Sequence, residues 1–218
     1  RLRFVPTSKR RAVVAQENIL YPGFLFDDCV FRPAPVDQND LHCAFVHGAG
    51  QGGGENRDIW NNTNEINYSE NRVYWGNVHE RLSACKTTWF LQANTILNGW
   101  DSEELQWLVC KLLKGPRGEH VVHHTTAVAH SMGNLLIAAA LRNGYCAWDR
   151  STNAWLSIAG PWNAEAIPRL ASICEGGRFM DATVAYAAHL MGFCIGDKVS
   201  QGYASINPEY PGLWRLLP

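Results

Sequence analysis

Residues 126–134 read Thr-Ala-Val-Ala-His-Ser-Met-Gly-Asn, and this stretch decides the fold. The apolar run Ala127, Val128, Ala129 has the look of a buried strand. Residues 135–141, LLIAAAL, read as a buried helix. Between them His130-Ser131-Met132-Gly133 must turn the chain sharply. A bend this tight tolerates only small residues two before and two after the serine, and here they are Ala129 and Gly133. The pattern is A-x-S-x-G. It lifts a serine hydroxyl above the edge of a sheet and aims a helix N-terminus at any negative charge that forms there.

A second stretch points to the same architecture. Residues 41–54 read LHCAFVHGAGQGGG, an apolar run with Ala44, Phe45 and Val46 that ends in His47-Gly48 and a glycine-rich loop. An acyl-transfer site needs two N–H donors for the developing oxyanion. One comes from the residue after the nucleophile and one from a loop after an earlier strand. In such a site here these would be the Met132 N–H and an N–H within residues 48–50, with Gly48 and Ala49 as the candidates.

The bulk properties allow this. The chain has 218 residues, 46% hydrophobic and 18% charged, enough for one domain with a sizeable core. A net charge of −1 implies neither nucleic acid nor an anionic membrane surface as partner. No apolar run approaches the ~18 residues of a membrane span, so no integral membrane segment is expected. The seven cysteines (29, 43, 85, 110, 146, 174 and 194) contain no CxxC pair, which argues against a zinc ribbon. Two sequons, at Asn61 and Asn67, fall in a polar stretch that should be a surface loop. Together with the cysteines they point to the secretory pathway and a few disulfides, with one thiol left over and the connectivity open.

Along the chain, residues 1–40 read as a loop-rich arm and 41–218 as the main domain. Residues 41–46, 87–92, 125–129 and 154–159 read as strands. Helices are expected over 74–82, 131–142, 164–174 and 182–191. Another opens at Asp101, the expected N-cap with Glu104 three residues on, and runs to Gly115-Pro116. From Gly196 onward the periodicity fades. Strands alternating with helices predict an α/β fold, a mainly parallel sheet with helices on both faces. Its chemistry belongs at the carboxyl ends of the strands, where His47-Gly48 and Ser131 both fall.

A serine nucleophile needs a histidine to take its proton and a carboxylate to hold that histidine. The histidine after Ser131 is His189, the candidate base, although its AYAAHLMGF setting is that of a packed helix residue. Asp181 is the candidate acid, and Asp149 and Asp197 are also available. The acid and histidine are expected after further strands that the sequence does not show, so the chain reads as short of its C-terminal end. His130 is expected to point away from the serine, and His47 to shape the oxyanion turn. His120, His123 and His124 have no ligand at metal-binding spacing, so neither metal nor other cofactor is expected. Trp75, Trp100, Trp155 and Trp162 read as core or site-wall residues.

The A-H-S-M-G-N elbow and the F-V-H-G-A-G strand end resemble the α/β-hydrolase superfamily, in its lipase and esterase branch. Three further phrases are YWGNVHE (74–80), NGWD (98–101) and WLSIAGPW (155–162). With these the chain is similar, over about 41–211, to the lipase-like, GPI inositol-deacylase-like hydrolases of oomycetes and related protists. The resemblance implies a serine hydrolase acting on small-molecule or lipid esters. Ser131 would be its nucleophile, and the Gly48 and Met132 regions its oxyanion donors. The same mechanism would serve a serine peptidase, because acyl specificity lives in loop shape. The competing expectation is a non-catalytic protein of this fold that binds a ligand or partner.

Overall fold

The structure, a computed structural model, describes residues 3–6, 29–32, 40–51, 58–61, 74–76, 84–161, 173–174 and 182–213. Its centre is a five-stranded sheet. With β1 (Arg3–Pro6) and β2 (Cys29–Arg32) forming a separate antiparallel pair, the sheet strands are β3 (His42–Val46), β4 (Asp58–Asn61), β5 (Thr87–Gln92), β7 (Thr125–His130) and β9 (Ala154–Ile158). Their order is β4-β5-β3-β7-β9. The four strands β5, β3, β7 and β9 run parallel, and β4 closes one edge antiparallel to β5. Parallel neighbours need crossovers. Helix α1 (Glu103–Lys114) leads from β5 toward β7, and α2 (Gly133–Arg142) carries the chain from β7 to β9. Two short strands, β6 (Val121–Val122) and β8 (Ala147–Trp148), pair parallel with each other.

The pleat sorts the core. Ala44 and Val46 of β3, Leu91 of β5, and Ala127 and Ala129 of β7 share one face and form one apolar cluster with α1 and α2. Leu105, Leu108, Val109, Leu112 and Leu113 of α1 are buried in it at helical spacing, as are Leu135, Leu136 and Ile137 of α2. Cys43, Phe45, Phe90 and Val128 face the opposite way, and there Trp75 packs edge-on to Phe45 at 5.2 Å. The sequence predicts helices on both faces; α1 and α2 pack on the first face, and the helical residues 74–75 bring Trp75 against the second.

Other expectations change in detail. The N-cap of α1 is Ser102, whose Oγ accepts from the Leu105 N–H, because the Asp101 carboxylate is engaged by the Tyr210 hydroxyl at 2.9 Å. Helix α2 starts at Gly133 because Ser131, with φ 51°, lies outside helical space. Strand β9 stops at Ile158 because Ala159 turns left-handed at φ 45°. The region beyond Gly196 is more ordered than its composition suggests. Strand β10 (Cys194–Ile195) pairs with β11 (Lys198–Val199), and the short helix α4 (Gln201–Ser205) follows. Gly202 lies so close to the Thr95 carbonyl oxygen that a Cβ there would be 1.7 Å from it. Two-residue strands and close backbone approaches leave no periodic trace in a sequence. Of the helix expected over 164–174, only Ile173 and Cys174 are described, both helical; of that over 74–82, only residues 74–76 are described. Residues 62–69, which carry the rest of the sequon stretch, and Trp162 lie outside the described residues. Trp100 and Trp155 are buried.

Three disulfides join Cys43 to Cys85, Cys110 to Cys146, and Cys174 to Cys194, with Cα separations of 5.7, 5.6 and 5.4 Å. Cys29 is the seventh cysteine. The Cys110–Cys146 bridge ties α1 to the segment after α2 and closes 36 residues of chain. Replacing both by alanine should lower unfolding stability by about 3–4 kcal/mol through the greater freedom of the unfolded chain. Paired denaturant titrations of the two proteins measure this; equal midpoints would show that the bridge adds nothing. No described helix is long and apolar enough to cross a membrane.

Candidate active site

The carboxyl ends of β3, β7 and β9 meet at one place, and Ser131 stands there. Its φ of 51° puts a non-glycine residue in the left-handed region, the strain expected of a strand-to-helix elbow. Three contacts hold it. The Ser131 N–H donates to the Ile158 carbonyl at 2.9 Å, and its carbonyl accepts from the Asn134 N–H at 3.0 Å. The fully buried Asn134 side chain completes the brace: its Nδ2 donates to the carbonyls of Ala129, Ser131 and Ile158, and its Oδ1 accepts from Trp155 Nε1 at 3.1 Å. Gly133 seats the elbow on β3. A Cβ there would stand 2.5 Å from the Val46 carbonyl oxygen and 2.7 Å from that of His47.

The glycine-rich loop meets the elbow directly. A Cβ on Gly48 would lie 2.7 Å from Ser131 Cβ and 3.2 Å from Ser131 Oγ, so only glycine leaves room for the serine. Two buried residues pin this loop from behind. His47 Nδ1–H donates to the Gly48 carbonyl at 2.9 Å, while its Nε2 accepts the Ala93 N–H at 3.3 Å. Burial pushes this imidazole down to about 4, so it is neutral and shapes the turn. Thr95 donates its hydroxyl to the Gly48 carbonyl at 2.8 Å and accepts the Gln51 N–H, while its backbone pairs with Gly50 and Gln51. Thr95 and Asn134 carry the site's shape. A motif reading passes over both, because their partners are main-chain groups distant in sequence.

The donors sort as follows. The Gly48 N–H, an expected oxyanion donor, is directed to the Tyr74 hydroxyl at 2.7 Å. Among the described residues, the N–H groups of Ala49 and Met132 make no backbone hydrogen bond. The Tyr74 hydroxyl also makes a short contact with His130 Nδ1. With His130 neutral and Nδ1 unprotonated, the phenol can donate its one proton to Nδ1 while accepting the Gly48 N–H. Burial lowers the affinity of His130 for a further proton and pushes the Tyr74 phenol up to about 12.

The base and acid are less gathered. His189 lies near the end of α3 (Ala182–Leu190) and is exposed, which corrects the packed position its apolar neighbours suggest. The end of that helix reaches the glycine-rich loop, for a Cβ on Gly50 would meet the Met191 carbonyl oxygen at 2.5 Å. No side chain among the described residues hydrogen-bonds Ser131 Oγ. Asp181 lies outside the described residues, and Asp197 is exposed in the turn between β10 and β11. Asp149 accepts from His123 Nδ1 at 3.1 Å and is held down to about 2, chiefly by hydrogen bonds from Ser151. That pair sits before the start of β7. Ser131 lies past its other end, about 20 Å away at ~3.3 Å per strand residue, so Asp149 cannot serve the serine. Among the described residues no three His, Cys, Asp or Glu side chains converge to hold a metal ion. No family model, curated protein or solved structure matches the chain.

Proposed function

We propose that this chain is a serine hydrolase of the α/β-hydrolase type, acting on ester bonds through an acyl-enzyme on Ser131. What carries the reading is one juxtaposition: a serine at positive φ between a parallel strand and a helix, with the Gly48 backbone against its hydroxyl. In this reading Ser131 Oγ attacks the ester carbonyl, its proton passes to a histidine, and the alcohol leaves with that proton. The Met132 N–H, at the start of the elbow helix, faces the developing oxyanion together with a second donor on the side of the glycine-rich loop. His189 is the histidine assigned, with Asp181 as its acid. Three disulfides and two sequons support, on the same reading, a passage through the secretory pathway.

A second reading is a non-catalytic protein of this fold. It is favoured by one observation: among the described residues no imidazole hydrogen-bonds Ser131 Oγ. A fluorophosphonate probe separates the two, read by intact mass. One adduct on the wild type and none on Ser131→Ala is the expected result. Folded wild-type protein that takes up no probe would reject hydrolysis and leave the binding reading.

A further inference from the structure

We propose that the Tyr74 hydroxyl, rather than the Gly48 N–H, is the loop-side oxyanion donor of this site. The inference rests on the hydrolase reading and deepens it. The Gly48 N–H is already committed: it donates to Tyr74 Oη at 2.7 Å. The phenol therefore stands where a backbone donor would otherwise be open. It is also beside the nucleophile. A Cβ on Gly48 would lie 2.9 Å from Tyr74 Oη and 3.2 Å from Ser131 Oγ, so the two oxygens are no further apart than those distances laid end to end. The oxyanion forms on the carbon that Oγ attacks, and its donors must come within about 2.7–3.1 Å of it. The phenol and the serine hydroxyl flank the same Gly48 position, so a substrate oxygen held between them is the one the phenol would reach.

The surrounding groups fit a donor. The N–H of Gly48 feeds into the phenol oxygen, and such a chain polarises the O–H it ends on. In the resting site the O–H donates to His130 Nδ1, a neutral acceptor. As negative charge develops on the substrate oxygen, the O–H turns from the imidazole to that stronger acceptor. The phenol keeps its own proton throughout. The carbonyl electron pair moves to oxygen as the Oγ–carbon bond forms and the serine proton passes to the histidine, and it returns as the alcohol leaves with that proton. Rings of Trp75 and His47 pack at 5.1 and 5.9 Å from the phenol and fix its direction. Burial keeps it protonated well beyond neutral pH.

The experiment compares wild type with Tyr74→Phe on a short-chain p-nitrophenyl ester, with the fluorophosphonate labelling rate at Ser131 as the second readout. Loss of one oxyanion donor lowers kcat by about 10²–10³-fold, with KM little changed, and slows labelling in parallel. Tyr74→Phe that is as fast as wild type, or faster, overturns the assignment, since it means that the phenol blocks the Gly48 N–H. A 3,5-difluorotyrosine at position 74 keeps ring and hydroxyl while making the phenol a stronger donor. It should hold or raise kcat, and a loss as large as that of Tyr74→Phe, as packing damage would give, also overturns the assignment. Wild type that does not label at Ser131 removes the hydrolase reading together with this one. Wild type that labels beside an unimpaired Tyr74→Phe removes this one alone.

Discussion

Gly133→Ala is expected to destabilise the fold by about 3 kcal/mol or more, the upper end of the cost of overpacking a rigid site. The added methyl would meet the carbonyl oxygens of Val46 and His47 at 2.5 and 2.7 Å. Both belong to main chain at the end of β3, so neither can swing aside as a flexible side chain would. The N-terminus of α2 must lift off the sheet instead. That movement takes Ser131 with it, because Asn134 ties helix and elbow together. On the proposed serine-hydrolase reading, displacing the nucleophile by about 1 Å can cost 10²-fold in rate, so reactivity should fall further than the folded fraction does. Gly144→Ala is the control. Unlike Gly133 it has positive φ, 74°, but nothing lies within 4 Å of the new methyl, and it should cost only about 1–2 kcal/mol of left-handed strain. Denaturant midpoints and fluorophosphonate labelling of the two variants check this; equal losses in both would mean that the seat on β3 is not tight.

The second large effect is loss of stability in mild acid. His42 and His47 are both buried, and burial pushes each down to about 4 from an ordinary 6.5. Both nitrogens of each ring are used. His42 Nε2–H donates to the Leu112 carbonyl and its Nδ1 accepts from the Thr87 hydroxyl, each at 2.8 Å. His47 is the opposite tautomer, and protonating its Nε2 would turn an N–H against the Ala93 N–H. As pH falls, the unfolded chain therefore takes up protons near 6.5, while the folded chain resists until about 4. Stability is whole above the first value and drains away between the two. Integrated to pH 4.5, the loss is of order 2–3 kcal/mol for each ring. His130, also lowered by burial, acts in the same direction. Denaturant titrations at pH 7.5 and 4.5 give the loss directly. His42→Gln should be less stable at neutral pH yet show a shallower fall in acid. Stability that is level over this range would mean that these rings are hydrated or already charged.

Much of the architecture was legible because it depends on local rules. Alternation of apolar runs with α1- and α2-like periodicity is enough to call for a parallel sheet with crossover helices, since parallel neighbours demand long connections. The elbow was legible for a steric reason: Ala129 and Gly133 flank Ser131 because larger side chains would meet backbone, as the Val46 and His47 carbonyls show at Gly133. Strand ends followed too, and with them the meeting of Gly48 and Ser131 at one edge of the sheet. The N-cap falls at Ser102, one residue past the Asp101 that the capping pattern predicts, since both are good caps and the Tyr210 hydroxyl, distant in sequence, engages Asp101.

By itself, then, the sequence determined the alternation of elements, the bend at Ser131 and the glycine-lined loop that faces it, all set by bonds and sterics within a few residues. Only the tertiary structure decided which cysteines pair. It alone showed that Thr95 and Asn134 brace the loop and the elbow, that the segment around Gly202 packs against Thr95, and that His189 is exposed. It also decided that the Gly48 N–H points to Tyr74, and that Asp149 stands at the wrong end of β7. Each of these turns on which groups, far apart along the chain, come within about 3 Å of one another, and no local pattern of residue types encodes that distance.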